Sequence, residues 1–263
     1  FDGTLGPAFP PLNDEHVKFK DRDLNNIGFI GAGQMAKALA VGISQSADQT
    51  INFFISDPCD AACAGFTQLV EAPHTTTRVE SNQHLADASE LIFLAVKPQY
   101  LHAAIEDVEF RHAPLICSIV AGVRTFELQR LTGSRRIIRM MPNRPCLIGM
   151  GACGMTADSE VNLSDRQTLK TMLEPMAVVV EVSEAILDSV TGLSGSGKLV
   201  GEPMTDADIA DTVEAFAKAA AAAKVKVYVS DDKGAVSLVD APGVTTTEEP
   251  VNAGEIELLV NSG

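Results

Sequence analysis

A glycine-rich segment early in the chain has the residue types and spacing of an anion-binding turn. Gly31 and Gly33 flank Ala32, and Ala36 completes a G-x-G-x-x-A pattern. The first glycine permits a tight turn, the second lets main-chain N–H groups approach a ligand, and the alanine allows a helix to pack closely on a strand. In this arrangement a diphosphate binds at a helix N-terminus.

The segments on either side of this turn are those that such a site requires. Residues 26–30 form a continuous apolar run that predicts a strand, and residues 34–46 carry apolar side chains at helical spacing. Gln34 and Met35 open this helix and therefore belong to the predicted site. We predict that the turn binds a nicotinamide dinucleotide. The alternative is that the glycines only make a tight turn in a sheet protein.

An acidic residue follows the next predicted strand, residues 51–55, where a ribose-binding group is expected. Asp57 comes about 20 to 30 residues after the glycines, which is the usual position of the carboxylate that binds the ribose hydroxyls. A carboxylate there favours NADH. Ser56 beside it accommodates a 2′-phosphate, so the sequence leaves NADPH and NADH both open.

Strand-length apolar runs alternate with segments of helical period as far as about residue 182. The further runs that predict strands are residues 91–96, 115–120, 136–140, 151–156 and 178–182. Runs that are apolar on both faces and are joined by helices indicate a parallel sheet covered on both sides. The predicted fold class is therefore α/β, with a doubly wound, Rossmann-type parallel sheet.

The chain has a different composition after residue 184. Residues 206–225 are rich in alanine, begin with acidic residues and have lysines toward the end, which predicts a helix. Residues 226–238 alternate around an Asp-Asp-Lys-Gly turn, which predicts a hairpin. We therefore predict three parts: a flexible leader over 1–24, a dinucleotide-binding domain over 25–184 and a smaller, mainly helical substrate and dimerisation region over 185–263.

Composition excludes several classes of partner. The net charge of −15 and pI near 4.7 argue against binding to nucleic acid or to an anionic membrane surface. The apolar runs are shorter than the roughly 20 residues of a membrane-spanning helix, and the leader does not resemble a secretory signal. The five cysteines form no CxxC pair, so we expect reduced thiols in a cytoplasmic protein without a metal site. We expect His84, His102 and His112 at the surface.

Several further segments, in order and at suitable spacing, resemble those of one enzyme family. They are FLAVKPQ at residues 93–99, SIVAGV at 118–123, RMMPNRP at 139–145 and DSVTGLSGSG at 188–197. Together with IGFIGAGQMA at residues 27–36, they make the chain similar to the pyrroline-5-carboxylate reductases over about residues 25–197. The ordered set is far more specific than any one motif. Hydroxyacid dehydrogenases share the fold but lack the AVKPQ, MPN and TGLSGSG combination.

The resemblance implies an activity and a set of site residues. It implies reduction of 1-pyrroline-5-carboxylate, a cyclic imine acid, to proline by hydride from NADPH or NADH, a step of proline biosynthesis. Asn82 would contact the adenosine ribose, and Asn143 would lie near the nicotinamide. The positions implied for the nicotinamide side are Ala95, Val96, Lys97 and Pro98. Lys97 could equally be a solvent-facing residue before a proline turn, and Asn143 could stabilise a turn.

The C-terminal part departs from the family pattern. Gly197 is not followed by the family's Pro-Ala-Tyr and long helix. Residues 241–246 resemble the family's Ser-Pro-Gly-Gly-Thr-Thr, which implies that the Thr246 hydroxyl, with Thr245 beside it, reaches the imine nitrogen. Val244 replaces the second glycine of that motif and restricts φ, which disfavours an anion-binding loop.

Two alternatives to a working reductase of this family therefore stay open. One is a cofactor-binding homologue whose catalysis is impaired, and the other is a different small-molecule reductase of the hydroxyacid dehydrogenase type. Because the C-terminal region is shortened, we expect at most a homodimer.

Overall fold

The structure is a computed structural model that describes residues 24–143, 146, 151–184 and 187, and the strand residues 227–230, 236–239 and 258–261. Its main body is one eight-stranded sheet in which a helix follows each of the first five strands and another joins the last two. The predicted leader and the predicted helix over residues 206–225 lie outside the described residues. The domain boundaries therefore stay a prediction.

The elements alternate along the chain as the hydrophobic pattern predicts. The strands of the main sheet are β1 Asn26–Ile30, β2 Asn52–Ser56, β3 Thr75–Arg78, β4 Leu91–Leu94, β5 Leu115–Ser118, β6 Ile137–Pro142, β7 Gly151–Ala157 and β8 Ala177–Glu181. The helices are α1 Gln34–Ser46, α2 Asp60–Thr67, α3 Asn82–Ala88, α4 Pro98–Ile105, α5 Thr125–Thr132 and α6 Leu163–Leu173.

The strand order confirms the doubly wound, Rossmann-type sheet. The order is β3-β2-β1-β4-β5-β6-β7-β8, and every neighbouring pair is parallel except β6 with β7. The chain winds outward in one direction from β1 to β3 and in the other direction from β4. The carboxyl ends of β1 and β4 thus lie side by side at the switch point, where ligands of such sheets bind.

The central strands are apolar because helices cover both of their faces. Phe29 on β1 and Phe93 on β4 are fully buried, and their rings stack with centroids 4.8 Å apart. Ile30 and Leu94, which point to the opposite face, are equally buried in a second cluster of apolar side chains. Burial on both faces explains why these strands read as continuous apolar runs.

Strand β3 was not predicted, because its sequence is polar. Thr75–Arg78 contains three threonines and one arginine, and most of these residues are exposed at the edge of the sheet. An edge strand needs β-branched residues for its backbone conformation but has less apolar surface to bury. It therefore lacks the apolar run by which the other strands were recognised.

The described part of the C-terminal region consists of strands. β9 Val227–Ser230 and β10 Val236–Val239 pair antiparallel, which confirms the predicted hairpin. A third strand that was not predicted, β11 Leu258–Asn261, pairs parallel with β9.

Three histidines were predicted to lie at the surface. His84, His102 and His112 are exposed, as predicted. The five cysteines are free thiols, and only Cys59 among them is exposed. Burial raises the pKa of Cys146 to about 11, so this thiol is protonated at neutral pH. None of the helices in the described ranges has the length and apolar character needed to cross a lipid bilayer.

The packing of α3 on β1 predicts a stability effect at Gly28. A Cβ atom at this position would overlap Leu85 Cδ2 and lie 2.5 Å from Ser89 Oγ. We expect Gly28→Ala to lower the free energy of unfolding by about 1–3 kcal/mol, because the methyl group overfills the interface. Urea denaturation measures the change. Gly33→Ala is the control, since a Cβ there meets nothing within 4 Å, and equal losses in both variants would contradict the packing argument.

Candidate functional site

The glycine turn forms where β1 passes closest to β4. Gly31 has φ +101°, a conformation that residues with a side chain rarely adopt. Its N–H donates to Ser56 O at 2.8 Å, and a Cβ atom here would lie 2.7 Å from Ala95 O. Only glycine satisfies both conditions, so this residue brings the ends of β1, β2 and β4 together.

Helix α1 begins with main-chain amides that face open space. Gly33 is the N-cap residue, no side chain of the described residues caps the helix, and the first turn contains no acidic residue. Gly33 and Gln34 are exposed, and Met35 is half-buried. The first N–H groups of a helix have no partner within the helix and carry a partial positive charge. The 13-residue helix therefore presents a site that fits a diphosphate.

Asp57 lies at the end of β2, as predicted, and binds the main chain through both carboxylate oxygens. Its Oδ2 accepts a hydrogen bond from the Ala32 N–H at 2.8 Å, and its Oδ1 accepts one from the Cys59 N–H at 2.8 Å. The carboxylate thus fixes the glycine turn and the start of α2 relative to each other. Ser56, half-buried, precedes it as the last residue of β2.

Asn82 opens helix α3 beyond the end of β3. Its Nδ2 donates to Ala104 O at 2.7 Å. Its Oδ1 is buried and has no hydrogen-bond partner in the described part of the chain. The side chain is therefore anchored on one side and has an acceptor left over, and its contact with the ribose stays a prediction.

The segment Ala95–Pro98 lies directly beside the glycine turn. The Ala95 N–H donates to Ile30 O at 2.9 Å, which joins the segment to the end of β1. Ala95 and Val96 are half-buried, whereas Lys97 is exposed as the N-cap residue of α4 and Pro98 occupies its first turn. The structure thus brings this predicted group next to Gly31.

Asn143 is buried directly after β6. Its Oδ1 accepts from the Ala152 N–H at 3.0 Å, and its own N–H donates to Ala152 O at 3.1 Å. The side chain therefore stabilises the connection to β7, which was one of the two roles considered. Its Nδ2 is buried and has no partner among the described residues, so one donor remains for the other role.

The predicted cofactor residues all lie at or after the carboxyl ends of strands, on one side of the sheet. The residues that follow β1, the end of β2 and the residues that follow β4 are joined by two hydrogen bonds, from Gly31 N–H to Ser56 O and from Ala95 N–H to Ile30 O. Thr245 and Thr246, the predicted catalytic pair, lie outside the described residues. In the ranges that the structure covers, no group of three or more His, Cys, Asp or Glu side chains is arranged to hold a metal ion.

Arg78, the last residue of β3, was not among the predicted site residues. Its Nη1 lies 2.6 Å from Asp60 Oδ1, and its Nη2 donates to Asp57 O at 3.3 Å. The cation thus stands beside the loop predicted to bind the ribose. The sequence does show a basic residue four positions before Asn82. Because no strand was predicted there, its position beside the end of β2 could not be inferred.

An ion pair between a buried arginine and a half-buried glutamate joins β6 to the segment after β8. Arg139 is 1% exposed, and its Nη1 lies 2.6 Å from Glu184 Oε1, which also accepts the Thr125 N–H at 2.6 Å. Burial opposes ionisation of Glu184, but the Thr125 hydrogen bonds and Arg139 outweigh it and lower its pKa. This carboxylate holds the start of α5 against the sheet.

Comparison with known proteins bears on the same part of the chain. A family model described as NADP oxidoreductase, coenzyme F420-dependent, matches residues 26–122. Pyrroline-5-carboxylate reductase of Synechocystis sp. is 33% identical over 173 residues, which cover 65% of this chain and 63% of the relative. The chain is similar to the pyrroline-5-carboxylate reductases over about two thirds of its length. This finding confirms the resemblance drawn from the ordered motifs.

Solved structures of pyrroline-5-carboxylate reductases share the fold. That of Coxiella burnetii has a TM-score of 0.58 and 27% identity, with 77% of this chain and 73% of that chain covered. That of Plasmodium falciparum, with NADP bound, has a TM-score of 0.55 and 26% identity, with 75% and 70% covered. The sequence match spans less than two thirds of the Synechocystis relative, so similarity is established for part of such an enzyme.

The Arg139–Glu184 pair predicts acid sensitivity. A carboxyl pKa lowered by folding adds stability above the unfolded value of about 4.3, and this contribution disappears as pH falls through the folded value. We expect Glu184→Gln to lower the free energy of unfolding at neutral pH by about 1–3 kcal/mol. The difference from wild type should shrink below about pH 4.

Urea denaturation across this pH range makes the measurement. Glu174→Gln, which changes an exposed carboxylate, is the control and should match wild type. A difference for Glu184→Gln that stays constant down to acid pH would contradict the ionised pair.

Proposed function

We propose that this chain binds NADPH or NADH and reduces 1-pyrroline-5-carboxylate to proline. The observation that supports the proposal best is the uncapped start of α1, directly after a turn that only glycine can make. The similarity to pyrroline-5-carboxylate reductases supplies the substrate, a cyclic imine acid. The domain over residues 25–184 would bind the nucleotide, and residues 185–263 would complete the substrate site and any homodimer contact, in the cytoplasm.

The residues proposed to hold the diphosphate act through their main chain. Gly31 makes the turn, and the N–H groups of Gly33, Gln34 and Met35 point out of the helix start. Four properties suit an anion: exposure, absence of a side-chain cap, absence of an acidic residue in the first turn and the partial charge of the helix. Asp57 would keep this loop in its binding conformation.

The residues proposed for the nicotinamide end lie next to the turn. Ala95 and Val96 are half-buried and would pack against the ring, while Lys97 and Pro98 start α4 at its rim. The Nδ2 of Asn143, which has no partner in the part of the chain that the structure describes, would donate a hydrogen bond there. When bound, the reduced cofactor supplies the hydride. The contribution of the chain is to bind and orient the reactants, which lowers the entropic cost of the reaction.

The chemistry of the imine calls for one polar group from the C-terminal region. When the imine nitrogen is protonated, the adjacent carbon accepts hydride readily. The protein therefore needs mainly a hydrogen bond at the nitrogen. The Thr246 hydroxyl, with Thr245 beside it, is the proposed group because of its place in residues 241–246. Thr246 would hold the imine nitrogen in position.

A second candidate function is nucleotide binding without turnover. Two features of the sequence favour it: the family's Pro-Ala-Tyr does not follow Gly197, and Val244 stands where the family motif has a glycine. A reductase of the hydroxyacid type has no comparable support, since that group lacks the motifs found here.

Turnover with a Thr246 variant tests the proposal. We expect NADPH or NADH oxidation that depends on the imine, and Thr246→Ala should lower kcat about tenfold to hundredfold, because the nitrogen loses its hydrogen bond. Nucleotide affinity should stay unchanged. Thr247→Ala is the matched control and should retain activity. Tight nucleotide binding without imine reduction would instead support the second candidate.

A further inference from the structure

Arg78 lies where a dinucleotide's adenosine ribose is expected to bind. In sheets of this type the ribose binds beyond the end of the second strand, here β2. Arg78 is paired with Ile55 in the β2–β3 register, just before Ser56 and Asp57. Its Nη2 lies 3.3 Å from Asp57 O, and its side chain is 46% exposed. The guanidinium is therefore both close to this loop and accessible.

The carboxylate that would favour NADH is engaged by main-chain N–H groups. To read a ribose, an acid at the end of β2 must turn its oxygens toward the 2′- and 3′-hydroxyls. Both oxygens of Asp57 instead accept main-chain N–H groups, from Ala32 and from Cys59, at 2.8 Å each. Asp57 is thus held by the loop that it organises.

The present partner of Arg78 is easily replaced. Asp60 Oδ1 lies 2.6 Å from Arg78 Nη1, but the Asp60 side chain is 87% exposed. Ion pairs between exposed side chains contribute little to stability, because water solvates both ions well. A phosphate carries more charge than a carboxylate, and its oxygens match the planar set of guanidinium donors.

From these three observations we infer that Arg78 binds the 2′-phosphate of NADPH and makes the chain select NADPH over NADH. The inference rests on the proposed nucleotide binding and extends it to a specificity-determining residue. Arg78 leaves Asp60 when the phosphate arrives, and the Ser56 hydroxyl at the end of β2 is a further donor. Asp57 contributes by holding the loop in shape.

Equilibrium binding of both nucleotides to the full chain tests the assignment without requiring turnover. We expect wild type to bind NADPH at least about tenfold more tightly than NADH. Arg78→Gln should weaken NADPH binding about tenfold to hundredfold and change NADH binding less than about twofold. The NADPH affinity of Arg78→Lys should lie between those of wild type and Arg78→Gln, because lysine keeps the charge and loses the planar donor set.

Two further variants separate recognition from a structural effect. Asp60→Asn removes the competing carboxylate and should strengthen NADPH binding, a change opposite in sign to that of Arg78→Gln. Arg111→Gln is the matched control, because it removes an exposed arginine that is paired with Glu109 at 2.6 Å. Arg111 precedes β5 and so lies near the amino ends of the parallel strands, away from the predicted site. The variant should change neither affinity.

The outcomes distinguish this inference from the proposed function. If Arg78→Gln lowers the affinity for both nucleotides equally, or for neither, Arg78 does not read the phosphate, although nucleotide binding stands. If wild type binds neither NADPH nor NADH, the proposed function fails and the inference fails with it.

Discussion

The close approach of β1 to β4 at Gly31 is the constraint on which the site depends. A side chain at this position would collide with Ala95 O, and φ +101° is strained for any other residue. Because the main chain can turn here, α1 begins immediately and directs its first amides toward open space. The segment after β4 lies alongside for the same reason. Gly31 thus positions both the start of α1 and the segment after β4.

The loops around this turn are held by hydrogen bonds from polar side chains to the main chain. Asp57 joins the glycine turn to α2, Asn82 joins α3 to the end of α4, and Asn143 holds the connection between β6 and β7. Each is the residue type that its position requires, because loop amides and carbonyls have no sheet partners. Asn82 and Asn143 each also keep a buried polar atom without a partner in the described residues.

The sequence predicted those parts of the fold whose pattern is local. β1, β4 and β5 were recognisable because both of their faces are buried. The glycine turn was recognisable because its backbone conformation requires glycines at a fixed spacing. β3 was missed because an edge strand of threonines buries little apolar surface. The roles of Asp57 and Arg78 depend on the loop conformation and on the pairing of β3 with β2, which no local pattern encodes. The Arg139–Glu184 pair joins segments far apart in sequence and was missed for the same reason.

An NMR titration of the isotope-labelled chain with NADPH tests the central claim most directly, because it observes each main-chain amide separately. The account predicts that the N–H resonances of Gly33, Gln34 and Met35 shift most, and that ADP-ribose, which carries the same diphosphate, shifts them in the same direction. If these resonances stay in place while the nucleotide saturates the protein, the diphosphate binds elsewhere and the account is wrong.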